Sequence, residues 1–322
     1  MVNGEKGVGI LFRNFKSSLI FTPLIGLLVL VFLLSILSPY FFTVSNLFNV
    51  LRQVSIIAIV AVGMTYAILT GGIDLSVGSV VALSGVITSI FMKKFGVSLP
   101  LSIMAGLISG MACGLVNGSM IASKIRMPPF ISGLAMMAVV RGIALIVSDA
   151  RPIFGLPDSF AFLGGGVVLN IPIPVIVTII VYAIAFVNLR FTKTGCGFYA
   201  VGGNEEAARL AGINVSRIKV FAYLISGFTS ALGGIVLASR VMVGEPIAGY
   251  YYELEAIAAV VIGGAYMGGG EASIVGTLLG ALIMGILKNG LNLLNISTYW
   301  QQVAIGLVIA GTISFNLFRQ RR

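Results

Sequence analysis

The chain has no histidine, two cysteines in 322 residues, and charged side chains at only 9% of positions. Without histidine there is no imidazole base, no His-ligated metal and no Ser-His-Asp triad. Two cysteines supply neither a zinc site nor a disulfide framework. Soluble domains carry about 25% charged residues. Ten acidic and twenty basic side chains cannot coat a soluble core of this size. What is abundant is apolar: 58% of residues are hydrophobic, 41 are glycine, and the mean hydropathy is +1.09. The chain reads as an integral membrane protein. Its net charge of +10 sits between apolar runs without a stacking motif or basic helical face, so it reads as topogenic and implies no nucleic acid.

A membrane-crossing helix needs about 20 mostly apolar residues. Candidate spans are Ile20 to Leu37, Val54 to Thr70, Ser76 to Met92, Leu99 to Ala122, Phe130 to Val147, Ile173 to Leu189, Ile218 to Ser239, Ala256 to Met267, Ala272 to Leu293 and Trp300 to Phe318. The third and eighth are short or broken by glycine. The first follows Lys6, Arg13 and Lys16 like a signal peptide, but Ser38-Pro39-Tyr40 is no small-x-small cleavage site, so a retained anchor is expected.

With a cytoplasmic N-terminus, the inner side holds Lys6, Arg13, Lys16, Lys124, Arg126, Arg190, Lys193, Arg209, Arg217, Lys219, Arg319, Arg321 and Arg322. The outer side holds only Arg52, Lys93, Lys94, Arg151 and Arg240. This asymmetry predicts an all-α polytopic protein of about ten transmembrane helices with both termini cytoplasmic. Residues 1–19 form the predicted cytoplasmic tail, and no linker divides the single domain 1–322. The largest cytoplasmic segment is 190–217.

Several features stand out within this frame. Gly71, Gly72, Val77 and Gly78 recur as Gly269, Gly270, Val275 and Gly276, with Ser79 matched by Thr277, an echo that leaves duplication open. Gly106, Gly110, Gly114 and Gly118 place a bare stripe on one helix face. That stripe serves either packing within the bundle or a subunit interface or pore. Asp74, between Gly71-Gly72 and Ser76-Val77-Gly78, is costly in lipid. Either Asp74 and Ser76 cap the next helix, or the segment is a broken helix on a translocation path. Glu253 and Glu255, beside Tyr250, Tyr251 and Tyr252, read as an interfacial belt and are spaced wrongly for paired-carboxylate catalysis. Arg141 and Lys288 fall inside spans and must point into the bundle or snorkel.

The segment Asn204-Glu205-Glu206-Ala207-Ala208-Arg209-Leu210-Ala211-Gly212 carries an N-cap residue, acidic first turn, an i,i+4 Glu205–Arg209 pair and a glycine stop. It predicts a short helix outside the bilayer, either solvated or docked on a partner. No G-x-x-x-x-G-K-[ST] occurs, so any ATP-driven step needs an ATPase on another polypeptide.

The segments Gly71 to Gly78, Gly202 to Ile213, Glu253 to Gly264, Gly276 to Leu282 and Asn289 to Leu294 together resemble the permease subunit of bacterial sugar ABC importers, of the ribose type. The likeness runs from about Leu37 to Gln302 in order; the stretch before about Phe32 does not follow it. The resemblance implies a homodimer in the bacterial plasma (inner) membrane, with a pair of ATPase subunits on the cytoplasmic side. It also implies a periplasmic or lipid-anchored sugar-binding protein that delivers the sugar. Asn204 to Gly212 would then be the coupling helix within 190–217, and no cofactor or metal is implied. Ribose is the first expected substrate. The rivals are an ion-coupled secondary sugar transporter, for which Asp74 is the strongest ionisable candidate, and a membrane enzyme, for which no converging set of groups exists.

Overall fold

The structure, a computed structural model, describes residues 20–123 and 127–320. The predicted tail 1–19 and the topogenic charges Lys124, Arg126, Arg321 and Arg322 lie outside the described residues. The described chain is mostly helical. In order it forms α1 (Phe21–Leu37), α2 (Val44–Leu69), α3 (Val77–Lys93), α4 (Leu99–Ala122), α5 (Pro129–Val147) and α6 (Asp158–Gly165). A two-residue antiparallel ladder follows, β1 (Val167–Val168) with β2 (Ile171–Pro172). Then come α7 (Ile173–Phe191), α8 (Lys193–Gly203), α9 (Glu205–Leu210), α10 (Val215–Val241), α11 (Tyr252–Ile262), α12 (Ile274–Leu293) and α13 (Thr298–Gln320).

Local chemistry sets these boundaries. Thr43 and Ser273 accept the backbone N–H groups of Asn46 and Gly276 at the starts of α2 and α12. Proline occupies the first turn of α4, α5 and α7, where its missing N–H costs nothing. Six helices, α2, α4, α5, α7, α10 and α12, are long and apolar enough to cross a membrane; α1 and α3 are apolar but shorter. The eighth expected span is helical only to Ile262, because Gly264, Gly269 and Gly270 then adopt positive φ and turn the chain. Conversely, α2 begins at Val44, ten residues before the apolar run that predicted it.

The bundle is turned inside out relative to a soluble one. Large apolar side chains such as Phe32, Ile108, Val139, Ile180 and Ile184 point outward. The interior combines aliphatic residues with Ser84, Thr88, Ser102, Ser132, Ser226 and Thr277, all fully buried. Small hydroxyl residues return their hydrogen bond to their own helix, as Thr88 does to the Ser84 carbonyl at 2.8 Å, and leave a smooth face.

The most extensive helix packing is between α4 and α10. Gly110 and Gly114 face the Gly227 and Tyr223 backbone, Gly118 faces Val220, and Gly106 faces Ser84 and Thr88 of α3. All four glycines are buried inside the chain, so this stripe is not available to a second subunit or a pore. At the far end, Ser239 of α10 donates to the Phe160 carbonyl and accepts from Gly164 N–H at 2.7 Å, pinning α6 across the bundle. An isolated bridge between Ile153 and Gly244 fixes the loop beside it.

Gly110→Leu should cost about 3 kcal/mol by overpacking, because its side chain would enter the Gly227 carbonyl and Ala231. Gly142→Ala, with open space beside it, should gain about 0.5–1 kcal/mol. Thermal melts of the detergent-solubilised protein separate the two.

Candidate functional site

At one end of the bundle, α9 is built as its sequence predicts. The Asn204 side chain accepts from Ala207 N–H at 2.9 Å, and Gly212, at φ +84°, ends the helix while Ile213 N–H returns to the Ala208 carbonyl. Glu205 receives Arg209 at 3.1 Å and Lys219 of α10 at 2.6 Å, which ties the helix to the bundle. Ala208 is buried, whereas Leu210 is 84% exposed. A six-residue helix is marginal alone; here two caps and a cross-helix ion pair hold it with an apolar tip facing outward. The preceding helix α8 has no counterpart among the expected elements. Its glycines and Lys193 gave no apolar period, and its Thr192 cap on Gly195 N–H is its clearest local signal.

Two glycine turns and the glycine end of α8 meet directly behind α9. Gly202, two residues before the Asn204 cap, packs on the Leu69 carbonyl at the end of α2 and on Gly270 N. Gly269 faces the Gly71 and Gly202 backbones, and Gly270 faces Gly203. The Gly270 N–H donates to the Leu69 carbonyl at 3.0 Å. The two copies of the sequence echo therefore lie against each other, with the end of α8 between them. No side chain cushions this junction, so displacement of α8 bears on the α2 terminus and the 71–76 segment.

That segment carries Asp74, which is 1% exposed. Its Oδ1 accepts from Ser76 N–H at 3.0 Å, Ser76 Oγ at 2.6 Å and Asn117 Nδ2 at 3.0 Å; its Oδ2 accepts from Ser226 Oγ at 2.6 Å. Ser132 donates in turn to Asn117 Oδ1 at 2.6 Å. The expected capping role fails on one point: Ser76 makes no side-chain cap on α3, and its hydroxyl is spent on Asp74. Asp74 instead gathers the start of α3, α4 and α10 onto one carboxylate, and α5 joins through Ser132 and Asn117. Gly72 lies under the Tyr223 hydroxyl and Pro129, and Gly78 lies against the Gly249 carbonyl and Glu253. Asn117, Ser132, Ser226 and Tyr223 were not anticipated, although Asn117 inside an apolar run was a readable signal.

The two cations expected inside spans also find partners within the chain. Arg141 donates to the Pro246 and Ala248 carbonyls at 2.8 Å each, drawing the 243–251 loop inward. Lys288 pairs with Glu255 at 2.7 Å, so the expected interfacial belt is divided: Tyr250 is exposed, Tyr252 half-buried and Glu255 buried. Among the described residues no group of His, Cys, Asp and Glu is arranged to hold a metal.

Asp74→Ala should destabilise the bundle by about 3 kcal/mol, because buried donors lose their acceptor. Asp74→Asn keeps one carbonyl oxygen and should cost less. Paired thermal melts test the order, and equal melting temperatures for Asp74→Ala and the parent would remove this carboxylate from the account.

Residues 46–313 match the family described as the permease component of the branched-chain amino acid transport system. The ribose import permease protein RbsC of Haemophilus influenzae is 47% identical over 88% of this chain and 89% of its own. That of Bacillus subtilis is 47% identical over 89% of both. The L-arabinose ABC transporter permease protein AraH of Azospirillum brasilense is 39% identical over 92% of this chain and 86% of its own. No solved structure matches. With these relatives and its apolar helices, the chain is a multi-pass inner-membrane transport permease, not an enzyme, and it belongs to the ribose-type permease subunits of bacterial sugar ABC importers.

Proposed function

We propose that this chain forms the membrane path by which a monosaccharide, D-ribose first, enters the cell, driven by a separate ATPase that docks on α9. The observation that carries the reading is the outward-facing α9 tip, held rigidly and backed by bare backbone contacts to the Asp74 segment. A partner that grips Leu210 and moves α9 would move α8 with it, and α8 bears on α2 through Gly202. Bare packed faces favour two discrete arrangements over continuous deformation.

Ten crossings complete the reading: α1 to α5, α7 and α10 to α13, with α6, α8 and α9 lying off the membrane axis. Short α3 and α11 are sheathed by longer helices and need not match the bilayer alone. Both termini and α9 are then cytoplasmic. A second copy of the chain completes the pore, and a sugar-binding protein delivers the substrate from outside. Ribose is preferred over L-arabinose because the relatives named for ribose share 46–47% of residues and those named for L-arabinose 39%. Against ion-coupled transport stands Asp74, whose oxygens are already engaged by four donors.

Glu205→Lys with Leu210→Asp should abolish ATPase association and ATP-dependent uptake of labelled D-ribose while membrane insertion persists. Gly202→Val should leave association intact and cut uptake at least tenfold. Both are read in proteoliposomes holding permease, ATPase and binding protein. Uptake that continues without ATP or the ATPase would overturn the proposal.

A further inference from the structure

Lys288 and Glu255 line two neighbouring clefts at the end of the bundle away from α9. One, of about 370 Å³, opens between α11, α12 and α13 beside Tyr250, Tyr251 and Gln301. The other, of about 230 Å³, lies among α2, α10, α11 and α12, and is lined by Gln53, Arg240, Tyr252 and Asn292 as well as the ion pair. Small-molecule sites occupy about 300–1,000 Å³ and combine an apolar wall with a few convergent polar groups. The larger cleft alone falls within that range.

Two of the polar groups here have no evident structural duty. The side chains of Arg240 and Gln53 make no hydrogen bond or ion pair to any other described residue. Both reach into the smaller cleft from helices of the bundle core. Ionisable and amide groups placed among membrane helices without partners are costly, and are commonly kept for function. Lys288 stands 6.0 Å from the centre of the Tyr252 ring and 2.7 Å from Glu255, so a cation, a carboxylate and an aromatic face converge within one side chain's reach. Gln301 extends the set by donating to Asn292 Oδ1 at 2.7 Å.

This mixture selects a ligand class. A purely cationic lining would suit an anion, but the carboxylate of Glu255 and the amide oxygens of Gln53 and Asn292 supply acceptors as well. A ligand whose hydroxyls each donate and accept, with an apolar C–H face to lay on a tyrosine ring, is a neutral cyclic polyol. We propose that these joined clefts are a monosaccharide subsite on the outward-facing side of the path, with Arg240, Gln53, Glu255 and Lys288 as hydroxyl partners and Tyr252 as the stacking face. The assignment rests on the sugar-permease reading above. Charge-assisted hydrogen bonds from the ion pair to hydroxyls would replace part of the pair's own contact, so entry of sugar loosens the tie between α11 and α12.

The test uses the assembled permease, ATPase and binding protein in proteoliposomes, with D-ribose as probe and L-leucine as the control suggested by the family's description. Gln53→Ala and Arg240→Gln should each lower labelled ribose uptake at least fivefold without changing complex assembly. Gln53→Cys, made with Cys113→Ser and Cys196→Ser, should react with an impermeant maleimide several-fold more slowly in saturating D-ribose, and at an unchanged rate in L-leucine. Wild-type uptake by both Ala and Gln variants, or no ribose protection in a complex that imports ribose, overturns the subsite alone. A wild-type complex that imports no monosaccharide overturns the permease reading, and the subsite with it.

Discussion

Backbone-to-backbone contact is the constraint on which this bundle depends. In lipid, helices gain little by hiding apolar surface from one another, because the solvent is as apolar as they are. Cohesion must come from close packing and from buried hydrogen bonds. Gly110 and Gly114 of α4 meet Gly227 of α10, Gly234 of α10 meets Val81 and Ser84 of α3, and Gly263 just after α11 meets Gly276 of α12. Each contact lies where a Cβ would enter a neighbouring carbonyl. The glycine content is thus a measure of how near the helix axes come.

Such packing places Asp74. With the helices this close, the Ser226 and Asn117 side chains are short enough to reach one carboxylate from two different helices, and Ser132 of a third helix braces Asn117. A buried carboxylate with several donors is stable only while all of those helices hold their places. The same node therefore reports on the arrangement of α3, α4, α5 and α10. The glycine junction of Gly71, Gly202 and Gly269 reaches it through Gly71, just before Asp74 in the chain, which joins a mechanical contact to a chemical one.

Sequence patterning made much of this legible, and physics explains what it hid. Long apolar runs marked α4, α5, α7 and α12 to within a residue or two, because lipid demands length and hydropathy together. Caps and stops in Asn204 to Gly212 marked α9, since those signals are local. The start of α2 was missed because Asn46, Asn49, Arg52 and Gln53 interrupt its hydropathy; Asn46 is satisfied by Asn289 of α12, a partner 243 residues away. The Asp74 shell and the Lys288–Glu255 pair were hidden for the same reason. One-dimensional spacing shows that a charge is buried, but the partner that makes burial tolerable comes from another helix.

The helix α2 joins the two ends of the molecule. At 26 residues it spans about 39 Å, and from Val54 to Leu69 it is buried on every side. Its last carbonyls carry the glycine junction, while Gln53 near its outer turns lines the cleft beside Arg240 and Glu255. In between, Thr65 shares a hydrogen bond with Thr277 at 2.9 Å, and the Tyr182 hydroxyl donates to the Ala58 carbonyl at 3.1 Å. A helix so enclosed has little room to bend, so a push at Leu69 emerges as tilt or translation of the whole rod. The far cleft is bounded partly by α2 and partly by α11 and α12, which are tied to each other by Lys288 and Glu255. Moving one wall against the other two changes the cleft's width, and that is how a partner gripping α9 would act on a ligand at the opposite end without touching it.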